Sequence, residues 1–268
     1  MSDLSKLNLT APGGAHAEIY LHGAHLTSWT PTGGNEVLYL SPKAEFSAGT
    51  AIRGGVPIIF PQFADLGPLP KHGFARTRTW ELVENGPDWA SLRLCEDENS
   101  LAIWPHRFEL EYSIRIGGKR LELMLKINNT DAQPFEFAAA LHTYLRVGNL
   151  DMVSIHGLKE LYFADNTNKR RESRQEDMLL SFDGEIDRSY YQAVAPVEMI
   201  ETGKSIRVEQ SGFRDVVVWN PGAEKCAALK DMPSDGYLAF VCIEAAVVGK
   251  PIVVGPGESW VGKQFLIV

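Results

Sequence analysis

The sequence has little cysteine: Cys95, Cys226 and Cys242 are the only three in 268 residues. An odd, widely spaced set gives no disulfide framework and no paired Cys-x-x-Cys zinc signature. It reads as free thiols in a reducing compartment. No apolar run approaches the length of a membrane-spanning helix. Basic residues are in deficit, 26 Lys and Arg against 34 Asp and Glu, for a formal net charge of −8. That balance argues against a nucleic-acid or anionic-membrane surface. The opening residues, Met1 to Lys6, carry neither the basic start nor the apolar stretch of a secretion signal. The expectation is a cytoplasmic protein, in which the glycosylation sequons at Asn8 and Asn128 are chance matches. Repeats, low-complexity tracts and evident linkers are absent, and residues 1–268 are expected to form one domain. Helical periodicity is scarce; residues 98–104 make one short candidate, stopped near Pro105.

What is present is β-pattern. Phe108, Leu110, Tyr112, Ile114 and Ile116 alternate with polar residues, Gly117-Gly118-Lys119 intervenes, and Leu121, Leu123, Leu125 and Ile127 alternate in turn. That is a hairpin with one apolar face on each arm, as in an antiparallel sheet packed on one side. Further strands are expected at residues 17–21, 36–40, 80–84, 90–95, 136–146, 161–164, 205–210, 216–219, 237–244 and 262–267. Gly, Pro, Asn and Asp turns punctuate them. The fold class is all-β, a large antiparallel β-sandwich with few short helices.

The chemistry concentrates in residues 53–62 and 69–76. Two turn-rich segments bracket an apolar run, and Arg53, Lys71, His72 and Arg76 are set into it. Burying such groups is costly without partners or a ligand, and forked guanidinium donors suit an anionic small molecule. His72 sits in a turn context that favours a cleft. His142 follows an apolar run with small Ala139 and Ala140 before it; it reads equally as a core histidine bonded to backbone or as a site residue. Glu244 closes an apolar stretch. A buried, unpaired carboxyl there would titrate high and suit a general base; the alternative is an ion pair with a buried arginine. Asp187, near a turn, reads as a solvated acid when taken alone. His16, His22, His25, His106 and His156 carry no pattern.

Several signatures fail. Gly203-Lys204-Ser205 resembles the end of a phosphate-binding loop, but Glu198 stands where glycine is needed. There is no Gly-x-Ser-x-Gly elbow. Two histidines and a glutamate could make a metal-binding triad, but no His-x-His pair supports one, and no metal is expected.

Taken in order, the pieces resemble the hexose-6-phosphate 1-epimerases of the galactose-mutarotase-like group. They are Gly23 to Trp29, Arg53-Gly54-Gly55-Val56-Pro57 through Phe63, His72-Gly73-Phe74-Ala75-Arg76, Leu141-His142-Thr143-Tyr144-Leu145, Asp187-Arg188, Val216 to Pro221, and Lys250 to Trp260. The resemblance implies a β-supersandwich that interconverts the α and β anomers of glucose 6-phosphate or a similar hexose phosphate. It implies His142 as general acid and Glu244 as general base, with His72 in support, and Arg53, Lys71, Arg76 and Asp187 contacting substrate. Lys71 stands where many relatives have glutamine.

Anomerisation opens the ring, rotates the C1–C2 bond and recloses on the other face. It needs a proton taken from the anomeric hydroxyl and one given to the ring oxygen, and no cofactor. A carboxylate and an imidazolium on opposite sides of the sugar would do this, with a remote phosphate supplying binding energy. A small phosphosugar is the expected partner, with neither nucleic acid nor membrane, and the chain is expected to be a monomer. The competing readings are a mutarotase for free aldoses and a carbohydrate-binding sandwich without turnover.

Overall fold

The computed structural model describes residues 4–268. Two eight-stranded antiparallel sheets carry the fold, with a three-stranded sheet of Lys6–Thr10, His16–Tyr20 and His25–Thr30 beside them. The expected hairpin is there, as Phe108–Gly117 and Arg120–Asn129 around Gly118 and Lys119. Its apolar faces are at most 1% exposed. Each such side chain contributes about 1.5–3 kcal/mol relative to exposure.

The sheet that matters for function runs Arg171–Arg174, Tyr162–Asp165, Ile186–Tyr190, Asp215–Asn220, Phe240–Val254, Phe135–Leu141 and Ile58–Ile59, with Tyr144–Arg146 also paired to Phe240–Val254. Side chains alternate across it. Val216, Val218, Ile243, Ala245 and Leu141 enter the main core shared with the hairpin sheet. Val217, Ala140, Ala246 and Ile59 face the other way, and so do Trp219 and Cys242. Both faces of this sheet are covered near its middle, so every residue of Asp215–Asn220 is buried.

Four expectations change. Residues 36–40 form only isolated bridges, Leu38 to Leu145 and Leu40 to Gly54. The Glu36 carboxylate takes the Trp29 and Leu38 amides, both at 2.9 Å, that a ladder would use. The stretch 136–146 breaks between Leu141 and Tyr144. The stretch 237–244 begins as a 3-10 turn, Gly236–Ala239, and its strand starts at Phe240 and runs on to Val254. Glu244 therefore sits within a strand, not at its end. Asp187 lies on the strand Ile186–Tyr190 and not in a turn. The helical stretch after residue 97 is an α-helix, Glu98–Ile103, capped by Asp97. A second helix, Gly222–Ala228, had no periodicity to announce it.

Candidate active site

The break after Leu141 builds the site. With the ladder interrupted, the backbone amides of His142 and Tyr144 turn to the carbonyls of Pro57 and Gly55, at 3.0 and 2.9 Å. That docks the middle of the sheet onto the turn that carries Arg53. On either side of the break the register holds, Leu141 opposite Ala245 and Tyr144 opposite Cys242. His142 is thereby set across from Glu244, and its Nε2 lies 3.4 Å from the Glu244 Oε1. The two residues are 7% and 1% exposed. Their other polar atoms, His142 Nδ1 and Glu244 Oε2, have no hydrogen-bond partner among the described residues. The ion pair with arginine that competed for Glu244 is not what the structure holds; the carboxyl meets imidazole.

This placement corrects the opposed geometry expected for the pair. Groups one ladder step apart on one sheet face stand side by side and cannot straddle a ring. Side by side suffices, because the anomeric hydroxyl and the ring oxygen share one carbon.

Arg53 owes its place to glycine. Gly54 and Gly55 have φ of 106° and 60°, and a Cβ on Gly55 would fall 2.2 Å from the Leu26 carbonyl oxygen. Only glycine allows so close an approach in that conformation. His25, which carried no pattern in the sequence, donates to the Gly54 carbonyl from below at 2.8 Å. Arg53 itself donates to Asp231 at 3.0 Å and to the Tyr144 hydroxyl at 3.1 Å. The Tyr144 ring in turn stacks on His142 at 4.8 Å, 11° from parallel. The Trp219 edge abuts the same imidazole at 5.6 Å.

His72 sits at φ 66°, a strained position for a residue with a Cβ. Its Nδ1 accepts from the Ala64 amide at 3.2 Å. That fixes the neutral tautomer with the proton on Nε2. Its ring is 5.8 Å from that of His142. Arg76 donates to the Lys71 carbonyl at 3.1 Å, and its Nε is buried without a partner among the described residues. Lys71 is exposed and 3.6 Å from Asp65. Asp187 accepts from Asn166 at 2.7 Å.

All seven expected site residues, His72, His142, Glu244, Arg53, Lys71, Arg76 and Asp187, line one cleft of about 540 Å³. Asn166, Arg170, Trp219 and Lys225 line it too and were not assigned. Asp231 grips Arg53 from a loop after the second helix. Trp219 lay within a quoted motif; the others sit in polar stretches without distinguishing spacing.

The electrostatics follow from burial. Burial pushes the Glu244 carboxyl well above its ordinary range, and the nearby Asp187 charge adds to this. Burial, then the Arg76 and Arg53 charges, hold the His142 imidazole well below its own. The same causes, burial first and then Arg76, depress His72. Both shifts favour the neutral form of each group. Asp187 is raised by burial, against which the Asn166 hydrogen bond works.

Comparison with known proteins places the chain in a family. The aldose 1-epimerase family profile matches residues 5–266. A protein from Cenchrus ciliaris named "Putative glucose-6-phosphate 1-epimerase" is 36% identical over 276 residues, 98% of this chain and 84% of that one. An Escherichia coli protein of the same name is 38% identical over 238 residues, 86% of this chain and 79% of its own. The crystal structure of a "putative mutarotase" from Salmonella typhimurium superposes with a TM-score of 0.91 at 32% identity, covering 100% of this chain and 91% of that one. The chain belongs to the aldose 1-epimerase family, isomerases of the sugar anomeric centre.

Proposed function

We propose that the chain interconverts the α and β anomers of hexose 6-phosphates, with glucose 6-phosphate as substrate. One observation carries the phosphate: five basic side chains, Arg53, Lys71, Arg76, Arg170 and Lys225, against three acidic ones line the cleft, in a chain where acids outnumber bases 34 to 26. A positive hollow in a negative protein is suited to an anion.

In this reading Glu244 takes the proton of the anomeric hydroxyl and His142 gives one to the ring oxygen. After rotation about C1–C2 the transfers reverse. His72 donates a hydrogen bond from Nε2 to the sugar and transfers no proton. The phosphate binds Arg53 and Arg76, with Lys71 at the rim. Its charge opposes the Arg76 and Arg53 field that, after burial, lowers His142. Lys71 adds a charge at the phosphate end.

The test follows the optical rotation of freshly dissolved α-glucose 6-phosphate with and without protein. Faster decay to equilibrium is expected, with free glucose accelerated far less. Equal acceleration of glucose would point instead to a mutarotase for free aldoses. Binding of glucose 6-phosphate without acceleration would leave a carbohydrate-binding protein.

A further inference from the structure

The cleft has a second bank whose residues have no role in the reaction described so far. After the strand Tyr162–Asp165, Asn166–Asn168 make one 3-10 turn. Lys169 and Arg170 follow at φ 50° and 59°. Two consecutive non-glycine residues in the left-handed region are uncommon, and such backbone persists where its surroundings over-determine it. From this turn Arg170 lines the cleft. Its guanidinium donates to the Asn166 side-chain oxygen at 2.9 Å and to the Tyr191 hydroxyl at 3.2 Å. Both acceptors are neutral, so the charge and the remaining N–H groups stay uncommitted.

Both amide hydrogens of Asn166 are used. Its amide protons go to Asp187 Oδ1 at 2.7 Å and Ser189 Oγ at 3.1 Å, and its oxygen accepts from Arg170. One oxygen of Asp187 is thereby occupied. An acceptor and a charged donor end up bridged by a single amide, at the opposite edge of the sheet from Ile58–Ile59 and the Arg53 turn. A carboxylate oxygen beside a guanidinium matches two adjacent hydroxyls: one donates to the acid, and the other accepts from the fork. A second anion would meet Asp187 as well as Arg170 and is disfavoured.

Resting on the hexose 6-phosphate reading, we propose that Arg170 is a further specificity-determining residue: with Asp187 it reads the C2–C3 hydroxyls at the end of the ring remote from the phosphate, and Asn166 positions both. The C6 phosphate and the C2–C3 diol then anchor the sugar from opposite banks, with C1 over Glu244 and His142.

The experiment compares wild type and Arg170→Met on glucose 6-phosphate, 2-deoxyglucose 6-phosphate and 3-deoxyglucose 6-phosphate. Loss of one charged hydrogen bond should raise KM for glucose 6-phosphate about tenfold, with kcat changed less than about twofold. On at least one deoxy sugar the variant should lose almost nothing more, because the contact is already missing there. The same loss on all three sugars, or no loss on any, overturns the proposal. A loss that tracks the phosphate, sparing free glucose while hitting both deoxy phosphates, also overturns it. Arg170→Lys, which keeps the charge without the fork, carries the same comparison if the methionine variant does not fold. If wild type accelerates no hexose phosphate, the parent reading falls by itself. The three sugars' dissociation constants by calorimetry then judge Arg170 by the same non-additivity.

Discussion

Glu244 and His142 touch because their backbones are one ladder step apart, not because long side chains reach across a gap. Leu141 opposite Ala245 and Tyr144 opposite Cys242 fix the pair, and the 3.4 Å contact follows. Burial acts on both groups, raising Glu244 and lowering His142.

Glu244→Gln and His142→Asn should each lower kcat for glucose 6-phosphate anomerisation by about 10²–10⁴, the usual worth of positioned acid–base groups. Far-ultraviolet circular dichroism should be unchanged. Polarimetry or exchange NMR reads the rate; a folded variant at wild-type rate would remove that residue from the chemistry.

Arg53→Ala and Arg76→Ala should raise KM for glucose 6-phosphate at least about tenfold, since charged hydrogen bonds to phosphate are the strong ones. The slow rate on free glucose should hardly move. In wild type, kcat/KM for the phosphosugar should fall as salt rises from low to physiological strength, with the screening length shrinking toward about 8 Å. Salt-independent kinetics would argue that no cationic funnel operates.

If phosphate held at Arg53 assists the reaction beyond tethering the sugar, the anion need not be attached to it. Inorganic phosphite dianion should speed anomerisation of free glucose by wild type, and Arg53→Ala should abolish that gain. Competition alone, with slower turnover at every phosphite concentration, would mean that the phosphate serves only as a handle.

Stability should also report on the ground beneath Arg53. Burial depresses His25 to about 4 from an ordinary value of about 6.5. Between those values the unfolded chain binds a proton that the native chain refuses. The stability tied to His25 is therefore complete above pH 6.5 and is lost as pH falls toward 4, amounting to about 3 kcal/mol across the window. Urea unfolding at pH 7.5 and pH 5 should show a smaller decline for His25→Gln than for wild type. Equal declines would place the proton elsewhere.

The sequence carried the parts of this site whose spacing reflects local backbone demands. Arg53-Gly54-Gly55 is legible because a close carbonyl approach admits nothing but glycine, and the hairpin at 108–127 because burial on one face imposes period two. What lay beyond reach was set at long range. Nothing in residues 136–146 marks the break at His142, which exists because Pro57 and Gly55 offer carbonyls from far away in the chain. Asp187 looked like a turn acid because the strand Ile186–Tyr190 is specified by its neighbours Tyr162–Asp165 and Asp215–Asn220, not by its own pattern. Asn166 and Arg170 depend on a left-handed turn that ordinary polar residues do not advertise.

The strand Phe240–Val254 presents Glu244 to the cleft while Ile243 and Ala245 plug the interior on either side. A slip of a single residue would turn the carboxylate into the hydrophobic core and its apolar neighbours toward the cleft. Errors in alignment are thus punished by loss of folding before they can yield a well-folded but miswired catalyst. Substitutions in the loops around the cleft leave the His142–Glu244 pairing in place, because the ladder sets it.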